Sequence, residues 1–197
     1  EHPQGPRYQE AQTYTFLIHS MKFARLTKLD DDRLVVIGTG CTDPSPQAER
    51  TCFILFSDDQ GASWTQPLEI HRGQERPEPI NLGGKRLMIM PSDDPGFMCF
   101  SNDGGINWGD KTVFPALPDG RVTPRHGTVL VEGEVLSGIF MAAESPDASG
   151  WEAGSLIRRS RDRGHTWTEG LWLPRDWQVS EGALARAKDG ALVAALR

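Results

Sequence analysis

The chain of 197 residues is long enough to bury the core of one domain, and its formal net charge is −6. No run of Lys and Arg exceeds two residues, so the composition argues against nucleic acid as a partner. No apolar run approaches the roughly 18 residues that cross a bilayer, and no membrane partner is expected. Three cysteines without a C-x-x-C spacing favour neither a disulfide framework nor a zinc site.

Short apolar segments separated by turn residues predict β-strands along the whole chain. The first unit has strands at 22–29, 33–40 and 51–57, the first two joined by the turn Asp30-Asp31-Asp32. The second unit repeats this order at 77–82, 85–91 and 96–101, and the third at 126–133, 134–142 and 154–160. A fourth unit begins with strands at 181–187 and 191–197.

The third strand of each complete unit runs into one octapeptide pattern, Ser-x-Asp-x-Gly-x-(Ser/Thr/Asn)-Trp. It occurs as SDDQGASW, SNDGGINW and SRDRGHTW, at 57–64, 101–108 and 160–167. In the last copy Gly164 permits a positive φ, and Asp162 can accept hydrogen bonds from its own turn. We interpret these boxes as turns that build the fold, with a metal or ligand role for Asp58, Asp103 or Asp162 as the alternative.

Successive boxes begin 44 and 59 residues apart, which is typical of propeller blades with an insertion in the longer interval. The predicted fold is therefore all-β: a β-propeller of four-stranded antiparallel blades, in a single incomplete domain over 1–197. The predicted blades are 21–75, 76–124, 125–179 and a partial one at 180–197. Because about three and a half blades cannot close a ring, we expect further blades of the same protein to complete it.

The boxes resemble those of the sialidase (neuraminidase) superfamily, also called BNR or Asp-box repeats, over nearly the whole chain. The resemblance implies a six-bladed propeller in the complete protein. In an antiparallel blade the box lies at one rim, while the first strand starts and the second strand ends at the other rim. The rim without boxes is therefore the expected functional rim.

The segment SEGALARAKDGALVAALR places Glu181 at the start of one predicted strand and Arg197 at the end of its neighbour. It is similar to a sialidase segment with a glutamate, a D-G turn and a final arginine at this separation. The resemblance implies that Glu181 activates a tyrosine nucleophile and that Arg197 binds the carboxylate of the substrate. A structural ion pair between the two strand ends is the alternative.

The first blade differs from the sialidase pattern at one position. Lys22 stands where that family carries the arginine of an Arg-Ile-Pro motif, and a lysine attracts an anion as a point charge without a planar fork. Arg25 follows three residues later and is expected to face the other side of the strand by alternation. Asp43, in the loop CTDPSPQAER, occupies the place of the family's acid/base aspartate, or else serves as a turn residue.

The other candidates lie at the starts of predicted first strands on the functional rim. Glu78 and His126 begin two such strands, and His126 is either a proton shuttle or a hydrogen-bonded structural residue. Arg76 and Arg125 are candidate anion contacts beside them.

The leading hypothesis is a sialidase-like glycoside hydrolase that acts on terminal acidic sugars of glycans without a cofactor. Neither Tyr8 nor Tyr14 matches the family's nucleophile, which is expected from a later blade. A propeller that cleaves uronate-containing polysaccharide by elimination, or a non-catalytic carbohydrate-binding propeller, are the alternatives. A glycan substrate favours a secreted or periplasmic location, although the sequence itself does not fix the compartment.

Overall fold

The computed structural model describes residues 20–41, 50–72, 77–90, 97–115, 126–143, 153–174 and 182–196. Within these ranges the chain forms β-strands joined by turns and contains no helix. A helix long and apolar enough to span a membrane is accordingly absent from the described ranges.

The first sheet, blade 1, contains four antiparallel strands in chain order. They are β1 (Ser20–Lys28), β2 (Leu34–Cys41), β3 (Thr51–Ser57) and β4 (Leu68–Arg72). The turn between β1 and β2 places Asp32 in the left-handed region with φ of 69°. β3 lies between β2 and β4, and every one of its residues is buried.

The second and third sheets repeat this order. Blade 2 consists of β5 (Glu78–Asn81), β6 (Leu87–Met90), β7 (Phe97–Ser101) and β8 (Thr112–Val113). Blade 3 consists of β9 (His126–Glu132), β10 (Val135–Ala143), β11 (Ala153–Ser160) and β12 (Leu171–Trp172). Blade 4 is the pair β13 (Gly182–Arg186) and β14 (Leu192–Leu196).

The blades pack face to face through side chains that alternate along their strands. On β6, Ile89 belongs to a core shared with Ile37 and Ile54 of blade 1, whereas Met88 belongs to a core shared with Phe140 of blade 3. Both β6 side chains are fully buried. Blade 2 is therefore the central layer of two successive hydrophobic seams.

The first strands of the four blades, β1, β5, β9 and β13, are neighbours in that order. Four-stranded antiparallel blades whose first strands adjoin around a common axis are the architecture of a β-propeller. The predicted fold class is confirmed: three blades and part of a fourth lie within the described ranges.

Candidate functional site at the central mouth

The Asp-box turns use their polar groups internally, which leaves them little capacity for a ligand. In the third box, the backbone N–H of Thr166 donates to Asp162 Oδ1 at 2.8 Å, and the Thr166 hydroxyl donates to Oδ2 at 2.6 Å. The Gly164 N–H donates to Ser160 Oγ at 2.7 Å, and the Trp167 indole donates to the Gly164 carbonyl at 2.9 Å. The interpretation of the box as a turn that builds the fold agrees with these contacts.

The first box corrects one sequence expectation. Asp59, not Asp58, occupies the turn position, because Asp59 accepts from the N–H of Ser63 at 2.8 Å. Asp58 instead binds Arg33 through two hydrogen bonds of 2.6 and 3.0 Å. Sequence alignment of the three boxes predicts Asp59 at this position, since it is the third residue of SDDQGASW.

Hydrogen bonds to the box carboxylates lower their pKa values to about 2. For Asp59 the Ser63 hydroxyl is the largest cause, and for Asp103 it is the backbone N–H of Asn107. Burial opposes the shift at Asp162, but the hydrogen bonds from Thr166 and Ser160 outweigh it. A carboxylate that already accepts several donors of its own turn is a poor candidate for an additional cation ligand.

A β-bulge in β1 changes the arrangement of the cations at the rim without Asp boxes. Lys22 lies opposite Thr39 and Arg25 lies opposite Ile37, with a register shift between the two pairs. Thr39 and Ile37 are two residues apart on β2 and share one face, so Lys22 and Arg25 also share that face. The expectation that Arg25 points to the other side is wrong, because the extra residue of the bulge cancels the alternation.

Arg25 reaches across the seam to blade 2. Its Nε donates to Glu78 Oε2 at 3.1 Å, with side-chain exposures of 48% for Arg25 and 31% for Glu78. Burial raises the pKa of Glu78 above its usual value, and the Arg25 guanidinium opposes that shift. Glu78 begins β5 as predicted, and its carboxylate contacts the guanidinium of Arg25.

One row of side chains on the same face of blade 1 runs towards its outer edge. The strand register aligns Lys22, Thr39, Cys52 and His71 across the four strands, and Cys52 among them belongs to the buried apolar core. Lys111 of blade 2 donates from Nζ to His71 Nε2, and its ammonium lies 4.3 Å from the centre of the Phe97 ring. The seam between blades 1 and 2 thus brings the side chains of Lys111 and His71 against the buried Phe97 ring.

The remaining predicted site residues are only partly described. His126 begins β9 opposite Met141, as expected for a residue at the start of a first strand. Asp43, Arg76, Arg125, Glu181 and Arg197 lie outside the described residues. Gly182 and Leu196, which follow Glu181 and precede Arg197 in the sequence, are paired across β13 and β14.

Sequence reasoning did not place Arg25 on the same face as Lys22. The prediction assumed that side chains alternate strictly between the two faces of β1. Nothing in the segment KFARL marks the extra residue of a bulge. The described ranges contain no group of three or more His, Cys, Asp or Glu side chains placed to hold a metal ion. The chemistry visible at the mouth is a pair of cations with one half-buried carboxylate.

Comparison with known proteins gives structural similarity at low sequence identity. No protein-family model matches the chain, and no curated protein matches it. A protein of unknown function from Dyadobacter fermentans is similar over 93% of this chain and 58% of its own, with TM-score 0.62 and 19% identity.

Two further similar structures are of proteins named as enzymes. An α-L-arabinanase of Penicillium chrysogenum is similar over 89% of this chain and 57% of its own, with TM-score 0.61 and 15% identity. A Hadza microbial sialidase is similar over 81% and 32%, with TM-score 0.55 and 18% identity. The chain thus spans less than two thirds of these structures, and at such identities the similarity shows the propeller fold alone.

Proposed function

We propose that the protein is a glycoside hydrolase that acts on glycans ending in an acidic sugar. The observation that carries this proposal is the bulge of β1, which places Lys22 and Arg25 on one face at the functional rim. A guanidinium binds a carboxylate with two parallel hydrogen bonds, and a neighbouring ammonium adds a second positive charge. This combination suits a sugar that carries a single carboxylate.

Arg25 also accounts for the departure of this sequence from the sialidase pattern. The position of the family's first arginine is occupied by Lys22, which lacks a planar fork. In our proposal Arg25 supplies that fork three residues later, and Lys22 supplies the point charge. Lysine at position 22 is then compatible with an acidic substrate.

The reacting groups are proposed from the resemblance to sialidases. Asp43 protonates the leaving glycosidic oxygen, Glu181 activates the nucleophile, and Arg197 provides a further carboxylate contact. The nucleophile itself is a tyrosine of a further blade of the same protein, which attacks the anomeric carbon and is later released by water. The names of the similar structures, an arabinanase and a sialidase, support a glycan as the substrate class.

The test is release of a fluorescent aglycone by the full-length protein from an α-sialoside and, in parallel, from an α-L-arabinofuranoside. We expect release from the sialoside, and we expect Glu181→Gln to reduce it at least about 100-fold. Glu132→Gln, a substitution of a half-buried carboxylate that pairs with Arg186, is the matched control and retains activity.

Other outcomes assign other functions. Release from the arabinoside alone would contradict an acidic substrate, although it would retain the hydrolase class. An unsaturated product that absorbs in the ultraviolet, formed from a uronate polysaccharide, would replace hydrolysis by elimination. Binding of acidic glycans without any product would indicate a carbohydrate-binding propeller.

A further inference from the structure

Among the described residues, one carboxylate holds the guanidinium of Arg25, and it does so at one edge. Nε donates to Glu78, and within the described part of the chain this is the one hydrogen bond of the Arg25 side chain. A guanidinium presents donors along several edges, and no described residue bonds to the edge formed by the two terminal nitrogens, which suits a second carboxylate.

A second contact between the same two strands supports the position of Glu78 relative to Arg25. Asn81, three residues after Glu78, donates from Nδ2 to the carbonyl of Lys28 at 2.8 Å, and Lys28 lies three residues after Arg25. The first strands of blades 1 and 2 are therefore locked in one register. The Arg25–Glu78 contact is built into that register and does not depend on two freely moving surface chains.

We propose that Glu78 is a positioning residue that orients Arg25 for two-point capture of the substrate carboxylate. This inference rests on the proposed acidic-sugar function and deepens it. An unrestrained arginine loses rotamer freedom when it binds a ligand, which weakens binding. Glu78 removes part of that loss in advance, because it fixes the guanidinium before the substrate arrives.

Charge alone predicts the opposite effect of Glu78 on the binding of an anion. A carboxylate beside Arg25 lowers the local positive potential, so its neutralisation strengthens the attraction of an anion if charge alone decides. If orientation decides, Glu78→Gln weakens acid binding. The direction of the change therefore distinguishes a positioning role from a bystander charge.

The experiment measures dissociation constants of the full-length protein for N-acetylneuraminic acid, for glucuronic acid and for the methyl ester of each. One of these acids is expected to bind the wild type. We expect Glu78→Gln to raise the dissociation constant for that acid about fivefold and to leave the dissociation constant for its ester unchanged. Arg25→Lys should weaken binding of the same acid to a similar extent. The double variant should lose no more affinity than either single variant. Glu132→Gln, which neutralises the carboxylate that pairs with Arg186 between the first strands of blades 3 and 4, should have no effect.

The outcomes separate this inference from the function on which it rests. If the wild type binds neither acid, the acidic-sugar function is wrong and the inference falls with it. If the wild type binds an acid and Glu78→Gln binds it equally or more tightly, only the inference is overturned. Should Glu78→Gln not fold, Arg25→Lys decides alone, because wild-type affinity in that variant would contradict the role given to the Arg25 fork.

Discussion

Arg158 is the charged side chain most deeply buried in the described structure, with 2% of its surface exposed. Its guanidinium donates to the carbonyl of Thr168 at 2.5 Å, to that of Pro115 at 2.6 Å and to that of Trp167 at 3.3 Å. It also lies 5.2 Å from the centre of the Phe114 ring. Pro115 follows blade 2 and Arg158 belongs to blade 3, so one buried cation joins two blades.

We expect Arg158→Met to lower the free energy of unfolding by about 2–4 kcal/mol, because buried carbonyl groups would lose their donor. Arg159→Met is the matched control: its side chain is exposed, and we expect a change within about 0.5 kcal/mol. Urea unfolding of both variants checks this prediction. Equal midpoints for the two would mean that the buried guanidinium contributes no more than an exposed one.

Residue-level reasoning from the sequence finds the box glycines and tryptophans but not Arg158. Gly164 has a φ of 94°, and Trp167 is 8% exposed, as the turn pattern predicts. Arg158 stands in a strand between Ile157 and Arg159, where alternation alone does not identify which arginine is inside. Its burial depends on carbonyl groups 9, 10 and 43 residues away, which no local pattern reports.

At the scale of the element, the Asp-box turn links local stability to pH. In the folded protein, hydrogen bonds lower the pKa of the box aspartates from the ordinary value of 3.8 to about 2. Between these values the unfolded chain binds more protons than the folded one, so stability increases with pH. The contribution is complete above about pH 4 and is lost as the pH falls towards 2.

We expect Asp59→Asn to destabilise the protein at pH 7, because the uncharged amide is a weaker acceptor for the donors of Ser63 and Ser57. The difference from wild type should shrink as the pH falls from about 4 to 2, where the wild-type carboxylate itself becomes protonated. Thermal unfolding across this range checks the prediction. Asp58→Asn, which removes only an exposed partner of Arg33, should change stability little at pH 7. A pH-independent effect of Asp59→Asn would contradict the assignment.

The strands were predictable where the hydrophobic pattern was continuous and the turn residues were strong. TCFILFS followed by the box pattern indicates β3 and its end, and the structure places β3 at Thr51–Ser57. The outer strands are harder, because β8 consists of Thr112 and Val113 alone and both are exposed. Such a short edge strand forms by pairing with β7 and not by its own pattern.

The site was predictable only in part, for a reason that lies in the same element. Glu78 and His126 begin their strands as expected, since Pro and turn residues precede them. The face of Arg25 was not predictable, because the bulge of β1 is a property of how β1 pairs with β2. A period of two identifies a face only while the pairing register is unbroken.

At the scale of the whole molecule, blade 2 couples its two neighbours. Met88 and Ile89 are adjacent on β6, fully buried, and packed into different seams. A change in either seam therefore affects a sheet that both seams share. This arrangement favours one cooperative unfolding transition for the packed blades.

We expect Met88→Ala and Ile89→Ala each to cost about 2–5 kcal/mol, as for other large-to-small substitutions in a core. Tryptophan fluorescence and far-ultraviolet circular dichroism should report the same urea midpoint for each variant. Two separated transitions in Ile89→Ala, with one probe changing before the other, would show that the seams unfold independently.

The bulge in β1 also bears on how such a mouth changes between related genes. Removal of one codon between those for Lys22 and Arg25 would remove the extra residue and leave the two cations two residues apart, on the same face as before. Insertion of one codon in a bulge-free relative, accommodated as a bulge, would equally preserve the face. The charge of the mouth is thus preserved through such an in-frame insertion or deletion, whereas a comparison of aligned columns would record it as a displaced arginine.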